Sequence, residues 1–182
     1  MKNTAIIYAT ISGSTRDLAM NIADRLNIRR SHVFDLLETD LASLPPYEQF
    51  LIGSPTYGRG QTHYLWKEGL QELQAIMAGQ PPIGLFVMGD QKGHRKTFGG
   101  GLFRLYDQLD HEACTLIGGI PAFLYKHEFT GWGQSWLPGL LIDKHGPSDR
   151  NRVRMNTWLD RIRMATPALP PREESTTNHS PH

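Results

Sequence analysis

The stretch Ile6-Ile7-Tyr8-Ala9-Thr10-Ile11-Ser12-Gly13-Ser14-Thr15 runs from a short apolar segment into four hydroxyl side chains gathered around one glycine. Residues Thr4 to Tyr8 carry no charge and no polar alternation, the pattern of a strand buried on both faces. Beyond the loop, Leu18, Ile22 and Leu26 recur every four residues with Ala19 and Ala23 beside them, which marks the buried stripe of a helix beginning near Thr15. A strand, a hydroxyl-rich turn and a helix start together make an anion site. The hydroxyls donate, Gly13 admits close approach, and the first helical N–H groups lie at the positive end of the dipole. The loop itself has no Lys-Ser/Thr pair to serve a triphosphate and its magnesium, so a terminal monophosphate suits it better. A Ser/Thr-rich helix cap without a ligand has the same composition.

The same grammar repeats outward. Phe50 to Gly53 and Ile83 to Met88 read as buried strands, and Val33 to Leu36, Thr115 to Ile117 and Leu140 to Ile142 as further ones. Helical stripes follow: Trp66, Leu70, Leu73 and Met77; Leu102, Leu105, Tyr106 and Leu109; Met155, Trp158, Leu159 and Ile162. Such alternation predicts an α/β fold, an open, mostly parallel sheet covered on both faces and linked by right-handed crossovers, with ligands beyond the strands' carboxyl ends. Residues 1–164 form the expected domain, and 165–182, with four prolines and no apolar period, read as a disordered tail.

Composition narrows the function. The 182 residues suit one domain with its own core, and no internal period suggests a solenoid. A single cysteine, Cys114, can form neither an internal disulfide nor a paired-cysteine metal site, and it reads as a small buried hydrophobe. No apolar run is long enough to span a bilayer and no apolar leader opens the chain, so the cytoplasm is expected and no membrane partner. Nineteen Lys+Arg against 18 Asp+Glu, a net charge of +1, announce no nucleic-acid footprint. His111-Glu112 and His127-Glu128 lack the second histidine of a zinc helix, and no Gly-x-Ser-x-Gly elbow is present.

Position by position, Ile6-Ile7-Tyr8-x-Thr10-x-x-Gly13-x-Thr15-x-x-x-Ala19-x-x-Ile22 resembles the signature of the flavodoxins. Gly53-Ser54-Pro55-Thr56-Tyr57-Gly58 is similar to the family's loop over one face of FMN. Gly89-Asp90-Gln91-Lys92-Gly93-His94, with Phe98, is similar to its second flavin loop. The segment between Gly118 and Gly139 resembles the insertion that interrupts the last strand of the long-chain type. The resemblance spans about Thr4 to Arg163. It implies a flavodoxin-like three-layer sandwich with a central five-stranded parallel sheet whose last strand is interrupted.

The resemblance also implies FMN as cofactor and a carrier, rather than an enzyme, that shuttles single electrons between a flavin- or iron-sulfur-containing reductase and an acceptor protein. Thr10, Ser12, Gly13, Ser14 and Thr15 would hold the phosphate. Pro55, Thr56, Tyr57 and Gly58 would cover one face of the ring, with Tyr57 stacked on it. Gly89 and Asp90 would address the pyrimidine edge, and His94 the second face. Gly58 would make a positive φ inexpensive in a peptide that turns its carbonyl toward the one-electron-reduced flavin. Two other readings stay open: an FMN-dependent NAD(P)H:quinone oxidoreductase of related fold, and a non-redox interaction module. A monomer is expected.

The sequence departs from the family pattern at three points. His94 stands where many members carry tyrosine, and Arg59 where an acidic or neutral residue is usual. The balanced charge contrasts with the strongly acidic family, so long-range steering is expected to be weak. Phe123, Phe129, Trp132 and Trp136 in the insertion would form a docking surface or cover the sheet edge. Gly99-Gly100-Gly101 would serve close helix packing.

Overall fold

Every residue of β1 (Thr4–Tyr8) is buried, so the strand requires cover on both faces. The computed structural model describes residues 2–77 and 79–169. After β1 come α1 (Ser14–Leu26), β2 (Val33–Asp35), β3 (Gln49–Pro55), α2 (Trp66–Ile76), β4 (Pro82–Gly89), α3 (Gly100–Gln108) and β5 (Thr115–Ile117). Then follow β6 (Ile120–Pro121), β7 (Trp136–Leu137), β8 (Leu140–Asp143) and α4 (Ser148–Arg163). The parallel sheet runs β2-β1-β3-β4 and is completed by β5 and β8 side by side with β4. β5 pairs with Pro82 to Gly84 and β8 with Phe86 to Gly89, so the two halves share the fifth position of the sheet. The expected interrupted strand is thus the observed one, and β6 and β7 form a short antiparallel pair inside the insertion.

Helices α1 and α4 lie together on one face. Arg25 Nη1 donates to Asn156 Oδ1 at 2.7 Å, and Arg163 Nη2 donates to the Arg25 carbonyl at 3.0 Å. Trp158 and Ile162 of α4 pack against Gly84, where any side chain would collide with them. Helix α3 packs over β3 and β4, and α2 lies beside it, tied to β3 by the Trp66 indole N–H donating to the Gly53 carbonyl at 2.9 Å. The three successive glycines serve close approach, as expected: a Cβ on Gly100 would lie 2.6 Å from the Gly60 Cα, and one on Gly101 2.6 Å from the Thr56 hydroxyl. The start of α3 is thereby pressed onto the loop after β3.

Four features that the sequence reading missed or left open have local causes. β3 continues past Gly53 through Ser54 to Pro55, since proline is tolerated at a strand terminus and the Thr56 N–H carries the ladder on to the Met88 carbonyl at 2.8 Å. The link from β2 to β3 holds no α-helix, only a 3-10 turn at Leu41–Ser43 capped by the Asp40 carboxylate, with Pro45 and Pro46 just beyond. The chain also stays packed beyond residue 164: Gly118 N donates to Thr166 O and Ala168 N to Leu116 O, each at 2.9 Å. The expected tail therefore begins too early in the sequence reading, and its residues from 170 onward lie outside the described ones.

The insertion is the fourth, an alternative left open. Phe129 is buried, Trp132 lies flat on Phe103 with centroids 4.4 Å apart, and the Arg161 guanidinium covers the Trp136 ring at 4.5 Å. Of the four aromatics that a docking surface would expose, only Phe123 is strongly exposed, at 76%. Tyr125 is buried; its hydroxyl accepts from Leu141 N at 3.1 Å and its ring lies under Arg154 at 4.1 Å. The insertion is a cover for the sheet edge, tied to β8 and α4.

Candidate functional site

β1 pairs with β2 on one side and β3 on the other, so the connections leaving their carboxyl ends diverge and open a crevice there. The loop leaving β1 closes on itself: Gly13 N–H donates to the Thr10 hydroxyl at 3.0 Å, and the Ser12 and Ser14 hydroxyls lie 3.2 Å apart. Gly13 caps α1 with φ +86°, a conformation that L side chains rarely adopt. Thr15, fully buried, has a hydroxyl that meets no partner among the described residues. An orphaned hydroxyl in the first turn of a helix, beside Ser12 and Ser14, fits the phosphate of a mononucleotide.

A cleft of about 200 Å³ lies beside this loop. Nine of the predicted site residues line it: Ser12, Ser14, Pro55, Thr56, Tyr57, Gly58, Gly89, Asp90 and His94. Thr10, Gly13 and Thr15 stand behind the lining and shape the loop. The Thr56 hydroxyl is buried against Gly101, without a partner among the described residues, so this residue offers the cleft its other atoms. Tyr57 and Gln61 exchange backbone hydrogen bonds of 2.8 and 2.9 Å around a tight turn that carries Gly58 at φ +40°. The Tyr57 hydroxyl accepts from Ile11 N at 3.1 Å, joining this turn to the first loop. Burial pushes the Tyr57 phenol up, and the Ile11 N–H partly offsets that.

The loop after β4 is held from far along the chain. Asp143, nearly buried at the end of β8, accepts at Oδ1 from Gln91 N at 3.2 Å and from His145 N at 3.3 Å. Lys144 N donates to the Gly89 carbonyl at 2.8 Å. Asp90 Oδ1 accepts from Gly93 N at 2.8 Å, and its Oδ2 lies 3.9 Å from His145 Nε2. The Gly93 N–H, with the His145 and His94 rings nearby, holds the Asp90 carboxyl below its ordinary range. Met88, Lys144 and His145 also line the cleft and are absent from the sequence-derived set. The rule that ligands sit beyond strand carboxyl ends, applied to Leu140 to Ile142 as it was to the other strands, points to the latter two.

The fold defines an open α/β protein whose cleft, at the carboxyl ends of a parallel sheet, has the donors and the helix start that suit a mononucleotide. The family model described as Flavodoxin matches residues 6–154, and the chain belongs to the flavodoxin family. It is 28% identical over 173 residues to the flavodoxin of Klebsiella pneumoniae, covering 90% of this chain and 98% of that one. It is 28% identical over 165 residues to flavodoxin 1 of Azotobacter vinelandii, covering 87% and 94%. Among solved structures, the Fusobacterium nucleatum flavodoxin bound to flavin mononucleotide superposes with a TM-score of 0.74 at 24% identity, covering 90% of this chain and 98% of that one. No helix among the described residues is long and apolar enough to cross a membrane.

Proposed function

We propose that the protein binds FMN non-covalently in the cleft beyond β1, β3 and β4 and carries electrons singly between a reductase and an acceptor protein. The observation that carries this reading is the convergence of three sequence-distant loops, after β1, β3 and β4, on one cleft beside a helix start with an orphaned hydroxyl. FMN, when bound, supplies the electron-transfer chemistry. The chain's residues bind and orient it. Ser12, Ser14 and Thr15, with the N–H groups opening α1, would hold the phosphate; Tyr57 and His94 would flank the ring; Gly89 and Asp90 would meet its polar edge. Gly58 is exposed, its carbonyl accepts from the Thr97 hydroxyl at 3.0 Å, and a Cβ there would meet nothing within 4 Å, so backbone conformation alone explains a glycine.

The protein would work as a cytoplasmic monomer, its reductase carrying flavin or an iron-sulfur cluster. A visible spectrum during stepwise anaerobic reduction tests the proposal. Flavin bands in the FMN-loaded protein and two separate one-electron steps are expected. Reduction of the bound flavin by NAD(P)H alone, without a reductase, would instead show an oxidoreductase. A colourless protein indifferent to added FMN would show an interaction module.

A further inference from the structure

The rim of the cleft carries cations with almost no carboxylate to oppose them. Arg59 follows Gly58, Lys92, Arg95 and Lys96 lie in the loop after β4, and Lys144 follows β8. All five are exposed, and none forms an ion pair among the described residues. The one carboxylate in those loops, Asp90, is turned to Gly93 N–H and His145. Arg59 and Lys96 also wall a second open cleft of about 630 Å³, with Arg104, Phe103 and Trp132, in which Asp107 is the sole carboxylate. Gly58 and Arg59, consecutive in the chain, line one cleft each, so the two adjoin.

These walls are firmly built. The Thr97 hydroxyl donates to the Gly58 carbonyl at 3.0 Å, joining the loops that hold Lys96 and Arg59, and Gly60 packs directly on Gly100. The Trp132 indole, flat on Phe103, donates its N–H to the Trp136 carbonyl at 2.7 Å. The whole chain has a net charge of only +1, so the rim is a local concentration and not general basicity. A polyanion reads an extended basic stripe, whereas a patch confined around one opening matches a partner that covers that opening.

We propose that this rim, with Arg59, Lys96 and Arg104 at its centre, is the docking face for a redox partner whose own electron-transfer edge is ringed by carboxylates. The proposal rests on the FMN-carrier reading. Opposite charges raise the encounter rate and salt lowers it, while like charges do the reverse. FMN-loaded protein, its loading checked by flavin absorbance, is reduced anaerobically and mixed with cytochrome b5 as an acidic probe and with cytochrome c as a basic one. Binding of the oxidised protein to cytochrome b5 is followed separately by NMR shift changes, which read docking whether or not electrons pass.

The rate with cytochrome b5 is expected to fall about tenfold between about 10 and 200 mM salt, and that with cytochrome c to rise. Arg59→Glu/Lys96→Glu/Arg104→Glu should lower the cytochrome b5 rate at least about tenfold at low salt and erase the shift changes. Arg29→Glu/Arg30→Glu, remote from both clefts, should change either little. A cytochrome b5 rate indifferent to salt and to the triple charge reversal would overturn the proposal. So would a short DNA duplex that displaces cytochrome b5 and binds more tightly, which would assign the rim to a polyanion. Shift changes that persist while no electrons pass would keep the docking face and contradict the carrier reading alone.

Discussion

The loop after β1 and the loop after β4 both end buried parallel strands and both border the cleft, and each has a local turn contact, yet their main supports come from different distances along the chain. The first is closed within six residues, by Thr10 accepting from Gly13 N–H and by the left-handed Gly13 that opens α1. The second is held by Asp143 and Lys144, residues of a strand end more than fifty positions away. A locally closed loop keeps its shape for one part of a ligand. A loop fixed by tertiary contacts lends its shape to the whole cleft and shares the stability of the distant element.

The largest expected effect comes from breaking the distant support. Asp143→Ala leaves the Gln91 and His145 N–H groups without their acceptor and should cost about 2–3 kcal/mol of unfolding free energy by urea titration. It should weaken FMN and riboflavin alike, because it disturbs the ring side of the cleft. Gly13→Ala is next: a left-handed conformation for alanine costs about 1–2 kcal/mol, and FMN affinity should fall at least about tenfold with riboflavin little changed. Thr15→Val should weaken FMN about three- to tenfold relative to riboflavin in a fluorescence-quenching titration. Equal losses for both flavins in the Gly13 and Thr15 variants would erase the contrast between the two loops.

Smaller effects sharpen it. His94→Tyr should strengthen flavin binding about two- to fivefold, since a larger ring covers more of the isoalloxazine. A second small effect is a pH dependence. Burial pulls the His63 and His127 imidazoles below their ordinary 6.5, so the unfolded chain takes up protons that the folded one resists. Their contribution to stability is complete above pH 6.5 and is lost as pH falls below it. His127→Gln should flatten the fall in urea midpoint between about pH 7 and 5; an unchanged slope would exclude His127 from it.

The same contrast explains what the sequence disclosed. Thr10 to Thr15, Tyr57, Gly58 and Asp90 were legible because each lies in a short segment between strong periodic patterns. The buried runs of β1 and β4 likewise declare themselves without knowledge of their neighbours. Lys144 and His145 were only half legible: the apolar run Leu140 to Ile142 puts them at a strand's carboxyl end, but their place beside Asp90 depends on β8 pairing with the far half of β4. The aromatics of the insertion left two readings open for the same reason. Nothing local to Phe129 or Trp132 says that Phe98 and Phe103 will cover them. Residues 165 to 168 were assigned to a tail because two hydrogen bonds, to Gly118 and Leu116, leave no trace in proline content.

The loop that opens α1 is expected above all to grip a phosphate. The ratio of dissociation constants for riboflavin and FMN in the unaltered protein measures this directly. A ratio of about a hundred or more is predicted, corresponding to about 2.7 kcal/mol placed on the phosphate alone. Equal constants for the two flavins would contradict it.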